Sequence, residues 1–337
     1  MTGNLLVITY HHVGREPPRA VIGDDSFELA GLHCDIRRFE AQMMIARKRK
    51  YNIIDLEHAS KKLRDNEKLD DNSLSITFDE GYEHDMLLPL LQKYGIPATF
   101  FINTDMMEGK LPPTYKLQAL IGMFGSDKIM MEAKSSLKKM LDLNPNLNGI
   151  FEKHAKEAEF YYQLERPDAR TLKYAIHFIL PSELKKGVID SIFYSMFSNS
   201  DEEIMARQLF SNEGEVRNLS ENGVRIGCHS ASHFVLTTLN KKWYESEITA
   251  PKIKLESITG KDVSMYAYPH GYFTETEHRS KRYKRKMTDI MGFLESAGYL
   301  ASFDYRPDLD TKTGKNYSNT NPHAMVRIDQ ASLFPGL

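Results

Sequence analysis

The chain has 337 residues, of which 41% are hydrophobic and 27% charged, and its formal net charge is −2. This length suits one large domain with an addition, or two ordinary domains. The near-neutral charge excludes a globally basic nucleic-acid-binding protein and an acidic disordered tail, so we expect no nucleic-acid partner. Two cysteines, Cys34 and Cys228, are too few for a disulfide framework.

The first ten residues have no basic segment and only one short apolar run, LLVITY. This pattern predicts a strand and not a signal peptide. No stretch of about 18 consecutive apolar residues is present, so no transmembrane helix is expected. With the low cysteine content, these features predict a cytoplasmic protein.

Short apolar runs bounded by turn residues predict a series of buried strands. In chain order they are Leu5–Tyr10, Asn52–Leu56, Ser73–Phe78, Ala98–Asn103, Val224–Cys228, Ser264–Tyr268, Tyr299–Phe303 and Met325–Ile328. Amphipathic stretches such as Phe39–Lys50 and Glu83–Tyr94 predict helices between them. This alternation is typical of parallel βα units and predicts an α/β fold, either a (β/α) barrel or an open doubly wound sheet.

Residues 105–210 have a different pattern, in which apolar residues follow helical spacing and no strand is predicted. We therefore predict a barrel domain formed by residues 1–104 and 211–337, interrupted by an all-helical insertion at 105–210. The insertion could add only bulk or a surface for homo-oligomer formation. Alternatively, it could act as a lid or cap that shapes the substrate site.

Four polar clusters stand at predicted strand ends, where barrel enzymes hold their catalytic groups. They are Tyr10–Val13, Thr77–Tyr82, Cys228–His233 and Tyr266–Gly271. The adjacent carboxylates Asp79 and Glu80 can divide metal binding and base catalysis between them, or one could only cap the next helix. His229 and His233 are four residues apart, so they can meet on one helical face and bind one metal, or be independent structural histidines.

The other two clusters could supply groups for the reaction itself. The turn at Pro269–Gly271 could direct a backbone N–H into the barrel mouth as an oxyanion donor, or it could be an ordinary βα turn. His11, at the end of the first strand, could act as an acid near neutral pH, or it could be structural. Four such clusters at strand ends favour one active site over four unrelated features.

These residues resemble the polysaccharide deacetylases of the NodB-homology type, carbohydrate esterase family 4. Thr77–Tyr82 is similar to the family signature Thr/Ser-Phe-Asp-Asp-Gly-Tyr, and residues 88–101 continue the match. His229–His233 is similar to the family's His-Ser/Thr-x-x-x-His-type motif. The resemblance covers about residues 1–104 and 211–330 and excludes the insertion.

Within that family, the sequence most resembles the permuted branch, the deacetylases of bacterial poly-N-acetylglucosamine. The features that carry this resemblance are the initial Tyr10–Val13 segment, the Phe39–Met43 helix, Tyr266–Gly271, and the C-terminal Gly-Tyr and Arg-Ile pairs at 298–299 and 327–328.

The resemblance implies a distorted (β/α) barrel and a divalent metal, most often zinc, held by one carboxylate and two histidines. Carried over to this sequence, the metal ligands are Glu80, His229 and His233. Asp79 would be the general base and His11 the general acid. The backbone N–H of His270 would help form the oxyanion hole. The resemblance also implies that Tyr268 and Pro269 lie beside the oxyanion hole. Supporting residues of the site would be His12, Tyr82 and Arg327.

Three positions depart from the family pattern. Glu80 replaces the usual Asp ligand and lengthens its reach by one methylene. Ala267 stands where many members outside the permuted branch have an Arg that braces the base. His270 replaces an aromatic residue, which would alter the contact with substrate.

Six of the eight residues at 279–286 are basic. This run could be a solvated helix face, or its Arg279, Lys281 and Arg282 could contact phosphates of a nucleotide-linked or lipid-linked sugar or an anionic membrane surface.

The resulting prediction is a metal-dependent hydrolase that removes an N-acetyl group from an amino sugar during cell-surface polysaccharide or lipopolysaccharide synthesis. Its substrate would be nucleotide-linked, lipid-linked or a small glycoside. The alternatives are a deformylase or other C–N amide hydrolase acting on a sugar, and a carbohydrate-binding pseudoenzyme. The pseudoenzyme is suggested by Glu80 and by the missing Arg.

Overall fold

The computed structural model describes residues 3–15, 33–80, 84–141, 149–162, 166–271, 281–306 and 309–336. Its strands are β1 Leu5–Tyr10, β2 His12–Gly14, β3 His33–Asp35, β4 Asn52–Ile53, β5 Ser73–Asp79, β6 Ala98–Ile102, β7 Arg225–Cys228, β8 Met265–Ala267, β9 Ala301–Tyr305, β10 Lys315–Asn316 and β11 Met325–Asp329. The α-helices of the first part of the chain are α1 Ile36–Lys48, α2 Leu56–Arg64, α3 His84–Tyr94 and α4 Thr104–Met107. The following helices, up to β7, are α5 Pro113–Phe124, α6 Ser126–Leu141, α7 Ile150–Lys153, α8 Ala155–Tyr161, α9 Pro167–Tyr174, α10 Ser182–Met196, α11 Asn199–Leu209 and α12 Glu213–Glu221. The last three are α13 Ala250–Thr259, α14 Lys281–Ser296 and α15 Gln330–Leu333.

Seven of these strands close into a parallel barrel. Around the barrel the order is β1, β5, β6, β7, β8, β9, β11 and back to β1. The longest pairing joins β1 to β5, from Leu5 opposite Ser73 to Tyr10 opposite Phe78. The closed parallel sheet with surrounding helices confirms the predicted distorted (β/α) barrel.

Alternation along the strands divides their side chains between two cores. On β1, Leu5 and Val7 join a cluster that also contains Phe101 and Phe303 from other barrel strands. The intervening residues of β1, such as Ile8, belong to a larger cluster shared with the surrounding helices. Both faces are therefore buried, which explains why these strands appear in the sequence as continuous apolar runs.

One predicted strand does not belong to the barrel. Only Asn52 and Ile53 form β4, which pairs with the start of β5 as an extra strand. The side chain of Asp55 accepts the backbone N–H of His58 and caps α2, so the chain turns helical at Leu56.

All elements described between β6 and β7 are helical. Most of their apolar side chains form a separate core, to which α5, α6, α10 and α11 contribute most of the buried residues; it includes Leu117, Leu120, Ile189, Phe193 and Ala206. The π-helical turn Ala175–Ile179 links α9 to α10. Across the described parts of the chain, no helix is both long enough and apolar enough to cross a membrane.

Candidate active site and metal centre

Four of the predicted site residues lie at the carboxyl ends of barrel strands. Asp79 is the last residue of β5 and Glu80 follows it, His11 follows β1, and His229 follows β7. The carboxyl ends of parallel strands meet at one edge of the barrel, so the topology brings these side chains together.

Glu80, His229 and His233 form a buried triad whose donor atoms all lie within 4.8 Å of one another. His233 Nε2 is 2.9 Å from Glu80 Oε1. Zinc–ligand bonds of about 2.0–2.2 Å place two ligands of one ion about 3–3.5 Å apart, so this spacing suits a shared metal. The Nδ1–H of His229 donates to the backbone carbonyl of Ala267 at 2.9 Å, which leaves Nε2 of His229 as the ligand atom. The donor set therefore fits a divalent metal.

The two histidines do not meet on a helical face, so that prediction was wrong. Residues 229–233 form a tight loop in which Ser230 and His233 have left-handed backbone, with φ of +67° and +55°. The carboxylate of Glu247 accepts the N–H groups of the two residues after Ser230, at 3.2 and 2.9 Å. The loop turns the two rings toward each other, with centroids 4.9 Å apart.

Left-handed backbone is concentrated at this site. Besides Ser230 and His233, Glu80 has a φ of +70° and His270 a φ of +60°. For residues other than glycine this conformation costs about 1–3 kcal/mol each, and it persists where surrounding contacts enforce it. The occurrence of left-handed backbone at four residues of one site is typical of a functional centre.

Asp79 is held by Arg327, which is completely buried inside the barrel. The guanidinium makes a two-pronged contact, Nη1 to Oδ1 and Nη2 to Oδ2, the second at 2.9 Å. Burial alone would raise the pKa of Asp79, but the charge of Arg327, followed by those of His229 and His11, holds this pKa well below its usual range. Arg327 on β11 thus supplies the brace that Ala267 on β8 cannot.

His11 and His229 both approach the same carboxylate oxygen of Asp79. The Nε2 atom of each is 3.9 Å from Asp79 Oδ2. His11 is 15% exposed, whereas Asp79 is 3% exposed. Asp79 is therefore close both to a candidate metal ligand and to a histidine with access to solvent.

The Tyr266–Gly271 cluster brings His270 next to the candidate metal centre. Its ring centroid is 4.6 Å from that of His233, and its Nε2 is 3.2 Å from Thr114 Oγ1. Tyr268 is buried and donates its hydroxyl to the carbonyl of His323 at 2.8 Å, and Pro269 is also buried. The hydroxyl of Tyr268 is thus used in a hydrogen bond within the protein.

Of the other predicted supporting residues, His12 contacts another histidine and the rest lie outside the described residues. Nδ1 of His12 is 3.0 Å from Nδ1 of His33, and burial lowers the pKa of His12 to about 3. Tyr82 and Arg279 lie outside the described residues, as do the side chains of Lys281 and Arg282 at the start of α14. The phosphate contacts of the basic run remain a prediction.

Sequence reasoning missed two contacts made by the insertion. Tyr115 on α5 donates its hydroxyl to Oε2 of Glu80, and its ring packs edge-on against Phe210. Its neighbour Thr114 contacts His270. The insertion lies outside the motifs that carried the resemblance, so no pattern in the sequence pointed to either residue.

We expect Arg327→Met to destabilise the metal-free protein by about 3–5 kcal/mol at pH 7, because it leaves Asp79 buried without its partner. At pH values above the ordinary carboxyl pKa, the ion pair stabilises the folded protein. This stabilisation is lost as the pH falls through the depressed pKa of Asp79. In the variant, burial favours protonated Asp79, so the difference from the wild type should shrink on acidification.

Denaturant unfolding at pH 7 and pH 5 measures this difference. Arg327→Lys is the matched control, which keeps the charge but loses the two-pronged contact. Its stability should lie between those of the wild type and Arg327→Met. Equal stabilities at pH 7, or a difference that widens at pH 5, would contradict the assigned ion pair.

The fold and site together define a barrel hydrolase with a centre of two histidines and one carboxylate beside a braced aspartate. The sequence matches the profile "Polysaccharide deacetylase" over residues 66–142 and 182–286, more than half of the chain. The chain belongs to the polysaccharide deacetylase family and is a hydrolase of amide bonds in acetylated sugars.

Solved structures show the same fold at low sequence identity. Streptococcus pyogenes deacetylase PplD, in complex with acetate, is 12% identical, with a TM-score of 0.55 over 99% of this chain and 98% of that one. The putative polysaccharide deacetylase BA0330 from Bacillus anthracis is 15% identical, with a TM-score of 0.50 over 97% and 64%. A de-N-acetylase from Aggregatibacter actinomycetemcomitans is 12% identical, with a TM-score of 0.50 over 97% and 95%. No curated protein matches the sequence.

Proposed function

We propose that this protein is a metal-dependent N-deacetylase that releases acetate from an N-acetylated amino sugar. The observation that carries the proposal is the convergence of Glu80, His229 and His233 beside Asp79. Two histidines and one carboxylate also suit other metals and reactions. The adjacent ionised aspartate and the family membership favour hydrolysis.

A divalent metal held by the triad would polarise the amide carbonyl and activate a water. Asp79, kept ionised by Arg327, would accept the proton of the attacking water. His11, which is partly exposed and lies near Asp79, would protonate the departing amine. The backbone N–H of His270 would stabilise the oxyanion. Water and the amide thereby yield acetate and a free amino sugar.

Zinc is the metal that we propose. The donors are two imidazoles and one carboxylate, a set found in catalytic zinc sites that keep a position open for water or substrate. As in such sites, His229 donates its second ring N–H to a carbonyl, which fixes the tautomer and ring orientation.

Tyr115 donates its hydroxyl to the second oxygen of Glu80 and would thereby orient this longer ligand. We expect Tyr115→Phe to weaken zinc binding by about 10- to 100-fold, the usual cost of losing a residue that orients a metal ligand. Competition with a zinc-sensitive chelating dye measures the dissociation constant.

The matched control for Tyr115 is Tyr194→Phe, which removes a hydroxyl that donates to Glu202 elsewhere in the insertion. Its zinc affinity should equal that of the wild type. Unchanged affinity in Tyr115→Phe would show that Glu80 needs no support from the insertion.

The proposed activity is tested by incubating the zinc-loaded protein with N-acetylated amino sugars and measuring acetate, formate and free amine. Acetate and amine in equal amounts support the N-deacetylase. Formate released from an N-formyl sugar, without acetate from its N-acetyl counterpart, would favour the deformylase. Sugar binding with no release would favour the pseudoenzyme.

A further inference from the structure

Three basic side chains lie together where the helical insertion meets the metal centre. Lys185 on α10 donates from Nζ to the backbone carbonyl of His177 at 2.6 Å, and Nζ is 5.4 Å from the ring centroid of Phe234, the residue after His233. The His177 ring lies 5.1 Å from the His270 ring, and the His270 ring lies 4.6 Å from that of His233. The cluster of Lys185, His177 and His270 therefore adjoins the metal triad.

The hydrogen-bonding capacity of this cluster is only partly used. His177 and Lys185 are each 2% exposed. Nδ1 of His177 is 2.7 Å from the hydroxyl of Tyr162, but its buried Nε2 has no hydrogen-bond partner among the described residues. Lys185 Nζ likewise has no carboxylate partner in the described parts of the chain.

Another buried lysine of the same insertion shows the usual arrangement. Lys116 is 3% exposed, and its Nζ lies 2.7 Å from Asp190 and 3.1 Å from Glu202. Burying an amine without a counter-charge is costly, so buried lysines are normally paired in this way. Among the described residues Lys185 has no such pair, and burial lowers its pKa to about 7.

We propose that Lys185, His177 and His270 bind a negatively charged group of the substrate, a phosphate or a carboxylate. This inference rests on the proposed function and specifies its substrate class, an anionic N-acetylated amino sugar. Because the cluster touches His233 through His270, the charged group would belong to the acetylated sugar itself or to the unit attached to it. The helical insertion would then select substrates by charge.

Matched sugars test this preference. N-acetylglucosamine 1-phosphate and N-acetylmuramic acid carry a phosphate and a carboxylate, and methyl N-acetylglucosaminide is neutral. We expect kcat/KM to be about 10- to 100-fold higher for at least one charged sugar than for the neutral one, as expected for hydrogen bonds to a charged group. Which charged sugar is preferred distinguishes phosphate from carboxylate.

Lys185→Met should bring the charged-to-neutral ratio of kcat/KM close to one. A ratio within one sample does not depend on the fraction of folded protein, so it remains informative if the variant folds poorly. Lys186→Met is the control, because Lys186 is the next residue and is 63% exposed. It should keep the wild-type ratio.

Calorimetric binding of the same three sugars to metal-free protein separates this inference from the proposed function. A charged sugar that binds about tenfold more tightly in the wild type, but not in Lys185→Met, supports the anion site even if no sugar is hydrolysed. Acetate release with equal kcat/KM for charged and neutral sugars, or a charge preference that survives Lys185→Met, would overturn it.

Discussion

Asp79→Asn is expected to lower acetate release by about 100- to 10,000-fold while zinc stays bound. The amide cannot accept the proton of the attacking water, and general bases contribute rate factors of this size. Asp79 is engaged by Arg327 and is not part of the candidate triad, so the metal ligands keep their positions. Steady-state acetate release together with zinc content per chain tests both halves of the prediction.

A variant of Glu80, the next residue, is the comparison for this experiment. Glu80→Gln removes the charged ligand, so it should lose zinc, whereas Asp79→Asn should lose only turnover. Wild-type activity in Asp79→Asn would refute the assignment of the base. Loss of zinc in that variant would show instead that Asp79 is a ligand.

His229→Ala and His233→Ala are each expected to abolish stoichiometric zinc binding and, with it, activity. Each removes one of the three protein ligands that a catalytic zinc site requires. Zinc content after dialysis, measured by atomic absorption, should fall from about one ion per chain in the wild type to background in both variants.

His323→Asn serves as the control for the histidine variants. His323 is buried and its Nδ1 is 2.9 Å from Ser302 Oγ, so its loss perturbs a buried hydrogen bond away from the triad. It should keep the wild-type zinc content. Zinc content that is unchanged in His229→Ala and His233→Ala would refute the ligand set.

The sequence predicted the barrel well because each of its strands is buried on both faces. Such strands are continuous apolar runs, and seven of the eight predicted runs are barrel strands. The exception, Asn52–Leu56, also has apolar residues but contains Asp55, whose side chain caps the helix that begins at Leu56. Local apolarity alone could not distinguish a barrel strand from an extra strand of two residues.

The site was predictable where it depends on strand ends and unpredictable where it depends on tertiary contacts. Asp79, Glu80 and His229 lie at or just after the ends of their strands, so motif and topology agree. The support from Glu247 and Tyr115 comes from segments distant in sequence. Nothing in the spacing of those residues indicates which side chain they meet.

Arg327 is an intermediate case. The resemblance placed it among the supporting residues, but only the closure of the barrel shows why it matters. Because β11 pairs with β1 and β1 pairs with β5, only one strand separates Arg327 from Asp79, and the buried Arg327 side chain reaches past it. Opposite charges on two strands 248 residues apart in sequence carry no local signal.

The most direct test of the central claim is the metal dependence of acetate release. Protein stripped with a chelator and then titrated with zinc should release acetate and free amine in equal amounts, with activity rising to a plateau at about one zinc per chain. Activity that survives removal of the metal, or a zinc-loaded protein that binds N-acetylated sugars and releases no acetate, would contradict the proposed metal-dependent N-deacetylase.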